Sequence, residues 1–130
     1  MEQVKERIIY EIGNYVKMIK DFDIHDRIYI INSCKKLLHD VSPMKSEPVD
    51  CVLWVKHETV HANDYNPNSV APPEMKLLHV SISEDGYTQP IVSMLEEDGM
   101  REVVDGFHRH RVGKEYDDVK QRVHGYLPVV

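Results

Sequence analysis

The sequence predicts an α+β fold: a small mixed sheet flanked by helices, preceded by an N-terminal helical hairpin. Three observations carry that prediction. Apolar residues recur at three- and four-residue steps through the first forty positions. After a linker containing Pro43 and Pro48 the texture changes to short β-rich runs. Turn signals then separate those runs from short helical stretches.

Val4, Ile8, Ile12, Tyr15, Val16 and Ile19 form one apolar stripe on a first helix, which breaks at Lys20-Asp21-Phe22-Asp23. Asp23 has the chemistry of an N-cap, and Asp26 adds a carboxylate near the positive end of the next helix. Ile24, Ile28, Ile31, Cys34, Leu37 and Leu38 line that second helix, with Lys35 and Lys36 in its C-terminal half. Antiparallel packing is the simple solution for two such helices. The pair is expected to cover an apolar face of the remainder or to dimerise. Val41 to Pro48 has no periodicity and reads as a linker, so residues 1–47 form the hairpin unit and residues 48–130 the α+β unit.

Val49 to Val55 is a candidate first strand. His61 to Pro73, with Asn63-Asp64-Tyr65-Asn66-Pro67-Asn68, reads as a long turn-forming loop. Pro73 suits a helix N1 position, and Met75, Leu77, Leu78 and Ile82 lie toward one side of the helix that follows, which Gly86 ends. Gln89 to Leu95 is a second strand, Glu96-Glu97-Asp98-Gly99 a hairpin turn, and Arg101 to Asp105 the return strand. Gly106 breaks it, and a helix runs from about His108 to Glu115. The segment from Asp117 is ambiguous, and Tyr126 to Val130 starts a further strand. Because the chain stops inside that apolar strand, a longer parent protein is expected.

The net charge is −6. Residues 1–47 carry 8 basic and 8 acidic side chains, and residues 48–130 carry 8 and 14. The excess negative charge lies entirely in the second part, which argues against DNA binding by that domain alone, since DNA binders neutralise phosphates with a basic face. A small anion needs only a few aimed groups. No run approaches the ~20 apolar residues of a membrane span, and Glu2, Lys5, Glu6 and Arg7 do not open a signal peptide. A cytoplasmic protein with no membrane partner is expected, and Cys34 and Cys51 are expected to be reduced, half-buried thiols.

Arg101-Glu-Val-Val-Asp-Gly-Phe-His-Arg-His-Arg-Val-Gly113 reads as strand, glycine turn, helix. Glycine admits a positive φ, and the helix start presents unpaired N–H groups at its positive end. That is an anion site, to which His108, Arg109 and Arg111 add donors, the arginines with planar forks matched to phosphate. The competing reading pairs Arg109 and Arg111 with carboxylates such as Asp105 or Glu115. His57 and His61 sit on a strand end and loop, and His108 and His110 flank a cation, so no metal site is expected. Trp54 reads as core, while Tyr87 and Phe107 could pack or could stack on a base.

These residues resemble a known superfamily. Gly106-Phe107-His108-Arg109-His110-Arg111 resembles the Gly-Glu-Arg-Arg-x-Arg box of ParB-type proteins and, through Gly106-x-His108-Arg109, the Gly-Cys-His-Arg box of sulfiredoxins. Asn63 to Asn68 resembles the Asn-Pro-rich loop after the first ParB strand. Gly86-Tyr87-Thr88-Gln89-Pro90-Ile91 resembles the Gly-x-x-Gln-Pro-Ile lip of the ParB nucleotide site. The order is right, and the resemblance covers residues 49 to 130. It implies a ParB/sulfiredoxin-like fold that binds a nucleotide (CTP, ATP or ADP, with Mg accompanying it) through Gly86, Gln89, Pro90, Asp105, Gly106, His108, Arg109 and Arg111. Within the superfamily the chain is most similar to the immunoglobulin-binding regulator B type, a co-activator of prophage gene expression, which implies transcription regulation in phage or mobile elements.

The departures limit what is carried over. Phe107 stands where sulfiredoxin needs its cysteine thiolate, so peroxiredoxin repair is not expected. ParB has Glu-Arg where Phe107-His108 stand, and histidine is a weaker phosphate partner near neutral pH. The ParB helix that contacts triphosphate and metal has no counterpart in these 130 residues, so CTP hydrolysis and clamp closure are not expected; nor is there a helix-turn-helix reader. Two alternatives stay open. One is a small-molecule kinase or nucleotide hydrolase on this scaffold, with Glu58 as base. The other is a protein-interaction module without ligand, associating with a partner or a second copy through the N-terminal helices.

Overall fold

Polar contacts dock the second of the two N-terminal helices on the sheet. A computed structural model describes residues 1–62 and 72–130. Helix α1 spans Glu2–Val16 and passes through a 3-10 turn, Lys17–Asp21, into α2, Ile24–Asp40. Asp23 caps α2 as expected, its carboxylate accepting the Asp26 N–H at 2.8 Å. Strand β1, Leu53–Lys56, begins later than the sequence suggested because Pro48–Asp50 forms a 3-10 turn. The Asn32 amide donates to the Trp54 carbonyl at 2.7 Å and accepts the Trp54 N–H at 3.1 Å. It thereby satisfies both backbone groups of Trp54 on the open side of β1. Lys35 donates to the Val52 carbonyl at 3.0 Å, and the His25 Nδ1–Tyr126 Oη pair, at 2.7 Å, ties the start of α2 to the far end of the sheet.

The expected close packing of α1 is not made: none of its residues is buried, and Ile8, Ile12 and Tyr15 stay exposed. Cys34 is also exposed rather than half-buried, and both cysteines are free.

Strand β2 is only Val60–His61; residues 63–71, which hold the Asn63 to Asn68 segment, lie outside the described residues. Helix α3, Pro72–Asp85, buries Met75 and Ile82 but leaves Leu77 exposed, so the helical face is narrower than the apolar residues implied. Strands β3, Val92–Leu95, and β4, Arg101–Asp105, form the expected hairpin, with Gly99 at φ 85° in the turn. Ile91 precedes β3 as an isolated parallel bridge to Val129. Helix α4 is Phe107–Glu115, the ambiguous segment is a second short helix, α5, Asp117–Arg122, and β5 is Tyr126–Val129.

β1 pairs antiparallel with β5, Leu53 opposite Val129. β4 is central in the other sheet, parallel to β2 and antiparallel to β3. Main-chain bonds Ile91 N–H to Pro128 O and Ser93 N–H to Val130 O, both 2.9 Å, join the two sheets. The fold is α+β, with one apolar layer in the sheet (Val60, Ile91, Val103, Leu127, Val129) and one beneath the helices (Met75, Ile82, Val112, Val119). Tyr87 packs against both. Trp54, read as core, is only half-buried, its ring edge-on to Tyr87 with centroids 6.1 Å apart.

His110 is the buried polar residue of this core, 4% exposed. Its Nε2 donates to the Val60 carbonyl at 3.2 Å, while Nδ1 has no partner among the described residues. Burial lowers its pKa below the ordinary 6.5, only partly opposed by that carbonyl. In the window from 6.5 down to the folded value the unfolded chain binds more protons, so acid favours unfolding. The contribution of His110 is complete above that window and is lost as pH falls through it. Urea midpoints at about pH 7.5 and about pH 5.5 are expected to differ less for His110→Gln than for the unaltered chain. Equal differences would contradict a neutral buried imidazole.

Candidate functional site at the Gly106 turn

β4 ends at Asp105, whose carboxylate accepts the Gly106 N–H at 2.9 Å. Gly106 lies at φ 94°, where a side chain is strained, and a Cβ there would sit 2.8 Å from Nη2 of Arg109. Glycine is therefore required for the backbone turn, and its bare Cα is what the flexible end of the Arg109 side chain folds back against. The Gly106 carbonyl accepts the His110 N–H at 2.9 Å, the first bond of α4. The N–H groups of Phe107, His108 and Arg109 precede that bond, and no side-chain cap satisfies them among the described residues. The positive end of the helix thus opens on the turn.

Arg109 reaches across to the other predicted lip. Its Nη2 is 3.4 Å from the Pro90 carbonyl, a long hydrogen bond, and its buried Nε has no partner among the described residues. The Tyr87 hydroxyl donates to the Arg109 carbonyl at 3.2 Å, and burial pushes its pKa up to about 12, which keeps it a donor. The His108 Nδ1 is likewise buried without a partner among the described residues. Leu78, Val104, Asp105, Gly106, Phe107, His108 and Arg109 line a cleft of ≈ 370 Å³, within the range of small-molecule sites.

Asp105, Gly106, His108 and Arg109 therefore share one cleft, and Arg109 connects it to Pro90. Gly86 ends α3 at φ 77°, its N–H bonded to Ile82 O at 2.9 Å, and Gln89 is exposed in the following bend; neither lines the cleft. Arg111 departs from the expectation. Its Nε and Nη2 each bond a Glu115 carboxylate oxygen at 3.1 Å, one helical turn away, and it is not part of the cleft wall. The carboxylate-pairing alternative thus holds for Arg111, whereas Arg109 turns to a carbonyl.

Sequence reasoning missed Leu78 and Val104 as walls. Leu78 could have been found, since it shares the side of α3 that carries Met75 and Ile82; Val104 carried no signal beyond strand alternation. Glu58 does not line this cleft. It lies 2.8 Å from His57 in a different polar groove with Asp117, Lys120, Gln121 and His124. Among the described residues no three of His, Cys, Asp and Glu converge as a metal site, and no helix is long and apolar enough to cross a membrane.

No family model matches the chain. It is 47% identical over 128 residues to the uncharacterized protein YbdM of Escherichia coli (strain K12), a match that takes in 98% of this chain and 60% of that protein. The chain thus spans less than two thirds of the length of this relative. Among solved structures it is similar to C-terminally truncated chromosome-partitioning protein ParB from Caulobacter crescentus complexed with CTP-gamma-S. That match has a TM-score of 0.48 at 24% identity and covers 61% of this chain and 42% of that one. A second structure of the same protein, complexed to the centromeric parS site, gives a TM-score of 0.48 at 22% identity and covers 59% and 38%.

Proposed function

We propose that the Gly106 turn binds the phosphate of a nucleotide and that the chain is a ParB-like nucleotide-binding regulatory module. One observation carries the reading: the unpaired amides opening α4 and the Arg109 guanidinium meet at a single glycine turn, beside the Pro90 lip. Three aimed N–H dipoles and one planar cation form a local positive site in an acidic domain.

Asp105 sets the opposite sign at the rim of the cleft, its carboxylate held by the Gly106 N–H. A nucleotide enters with its phosphate toward the amides; Mg carried by a di- or triphosphate would sit on the Asp105 side. The order of the sequence boxes supports a nucleotide over a bare anion, and Phe107 offers a ring at the cleft on which a base can stack. A role in phage or mobile-element gene regulation rests on the sequence resemblance. Glu58 in its separate groove offers nothing to a base-catalysed reaction here, so the binding reading stands ahead of the kinase one.

Calorimetric titration with CTP, ATP, ADP and GTP tests the proposal. At least one is expected to bind at submillimolar concentration. Absence of binding by all four at millimolar concentration would overturn it.

A further inference from the structure

Residues 48–130 hold 8 lysines and arginines, and among them Arg109 alone lines the Gly106 cleft. Arg111 is held by Glu115, and Arg122 donates to the Ser83 and Ile82 carbonyls at 2.7 Å. Arg101, at the end of β4 far from the turn, donates to the Ser93 hydroxyl at 3.1 Å. Lys56 and Lys120 border the polar grooves around His124, and Lys114 stands in the last turn of α4, the end opposite Gly106. Lys76 is exposed two residues before Leu78, about 200° around α3 from it. Residues 63–71 contain Asp64 and no lysine or arginine, so that segment supplies no fixed cation either.

Against that one guanidinium stands the Asp105 carboxylate, on the same wall. His108 adds an imidazole, which is not a fixed cation near neutral pH. The fixed charges of the cleft among the described residues therefore sum to zero. What remains positive is local: the amides opening α4, whose field fades within the first helical turn. One phosphate group can take those amides and Arg109 together. The further phosphates of a longer chain find no second cation there, and they meet Asp105 and an acidic domain. The cleft, at ≈ 370 Å³, also lies toward the small end of the roughly 300–1,000 Å³ range of such sites. Building on the nucleotide reading above, we infer that the cleft is matched to a nucleotide ending in a single phosphate, a nucleoside monophosphate. Asp105 is the residue that sets this preference, by repelling a free triphosphate chain.

Calorimetric titration with CMP, CTP, AMP and ATP, first in EDTA and then with excess Mg, tests this. In EDTA the monophosphate of the preferred base is expected to bind about tenfold or more tighter than its triphosphate, and Mg to close most of that gap. Asp105→Asn removes the opposing charge and keeps an oxygen that can accept the Gly106 N–H. It is expected to lower the monophosphate-to-triphosphate preference about fivefold or more. Val104→Lys, at a wall position that is 62% exposed, adds a second cation and is expected to lower the preference as well. A triphosphate that binds as tightly as its monophosphate in EDTA, or a preference that both substitutions leave unmoved, would overturn the inference and leave nucleotide binding in place. Silence of all four nucleotides under both conditions would instead remove the nucleotide reading, and this inference with it.

Discussion

Replacing Gly113 with alanine is expected to lower the unfolding free energy by about 1–3 kcal/mol, the usual cost of overpacking a filled core. Local propensity predicts the reverse, because alanine in a helix interior is better than glycine by roughly 1 kcal/mol. The structure decides the sign. A Cβ at Gly113 would collide with Cδ2 of Leu127, which is fully buried, and would sit 2.5 Å from the Tyr87 hydroxyl. Leu127 is enclosed by the sheet core, and Tyr87 is tied to the Arg109 carbonyl, so neither can swing aside freely. To make room, α4 must lift from β5, and α4 carries Arg109. Nucleotide binding should therefore weaken together with stability. A urea midpoint unchanged or raised by Gly113→Ala would show that the helix does not approach the sheet this closely.

Arg109→Ala is expected to weaken nucleotide binding by about 1.5–3 kcal/mol, the scale for losing hydrogen bonds to a charged group. That is roughly ten- to 150-fold in Kd by calorimetry. Arg109→Lys should recover part of the loss, since it keeps the charge but not the fork that spans phosphate and the Pro90 carbonyl. Arg111→Ala is the internal control. It removes a helix-surface pair with Glu115 and leaves the cleft wall intact, so its effect on binding should be much smaller. Equal losses for the two substitutions would point to a diffuse field in place of a built site.

Elements were legible where local chemistry decides them. The Asp23 cap, the Asp98-Gly99 hairpin and the Gly106 break all follow from residues adjacent in sequence, and each stands where the sequence placed it. What depends on distant partners was not legible. The pairing of β1 with β5 spans more than seventy residues, and the Asn32 clamp on Trp54 looks in sequence like any polar helix position. Leu77 and Leu78 are adjacent and equally apolar, yet only Leu78 meets the core. At the site, Gly106, His108 and Arg109 could be chosen from type and spacing. Arg111 could not be separated from Arg109, because two residues along a helix is a rotation of about 200°, and the sequence does not say which arginine faces the lip.

The central claim is that the amides opening α4 and the Arg109 guanidinium act together as the phosphate site, and its most direct test is a nucleotide titration followed by amide NMR. The account predicts that the largest shifts fall on the Phe107, His108 and Arg109 amides, with smaller ones on Tyr87 to Ile91, and that Arg109→Ala removes both sets. Saturable shifts centred instead on the groove around His57, Glu58 and His124, with the Gly106 turn silent, would contradict it.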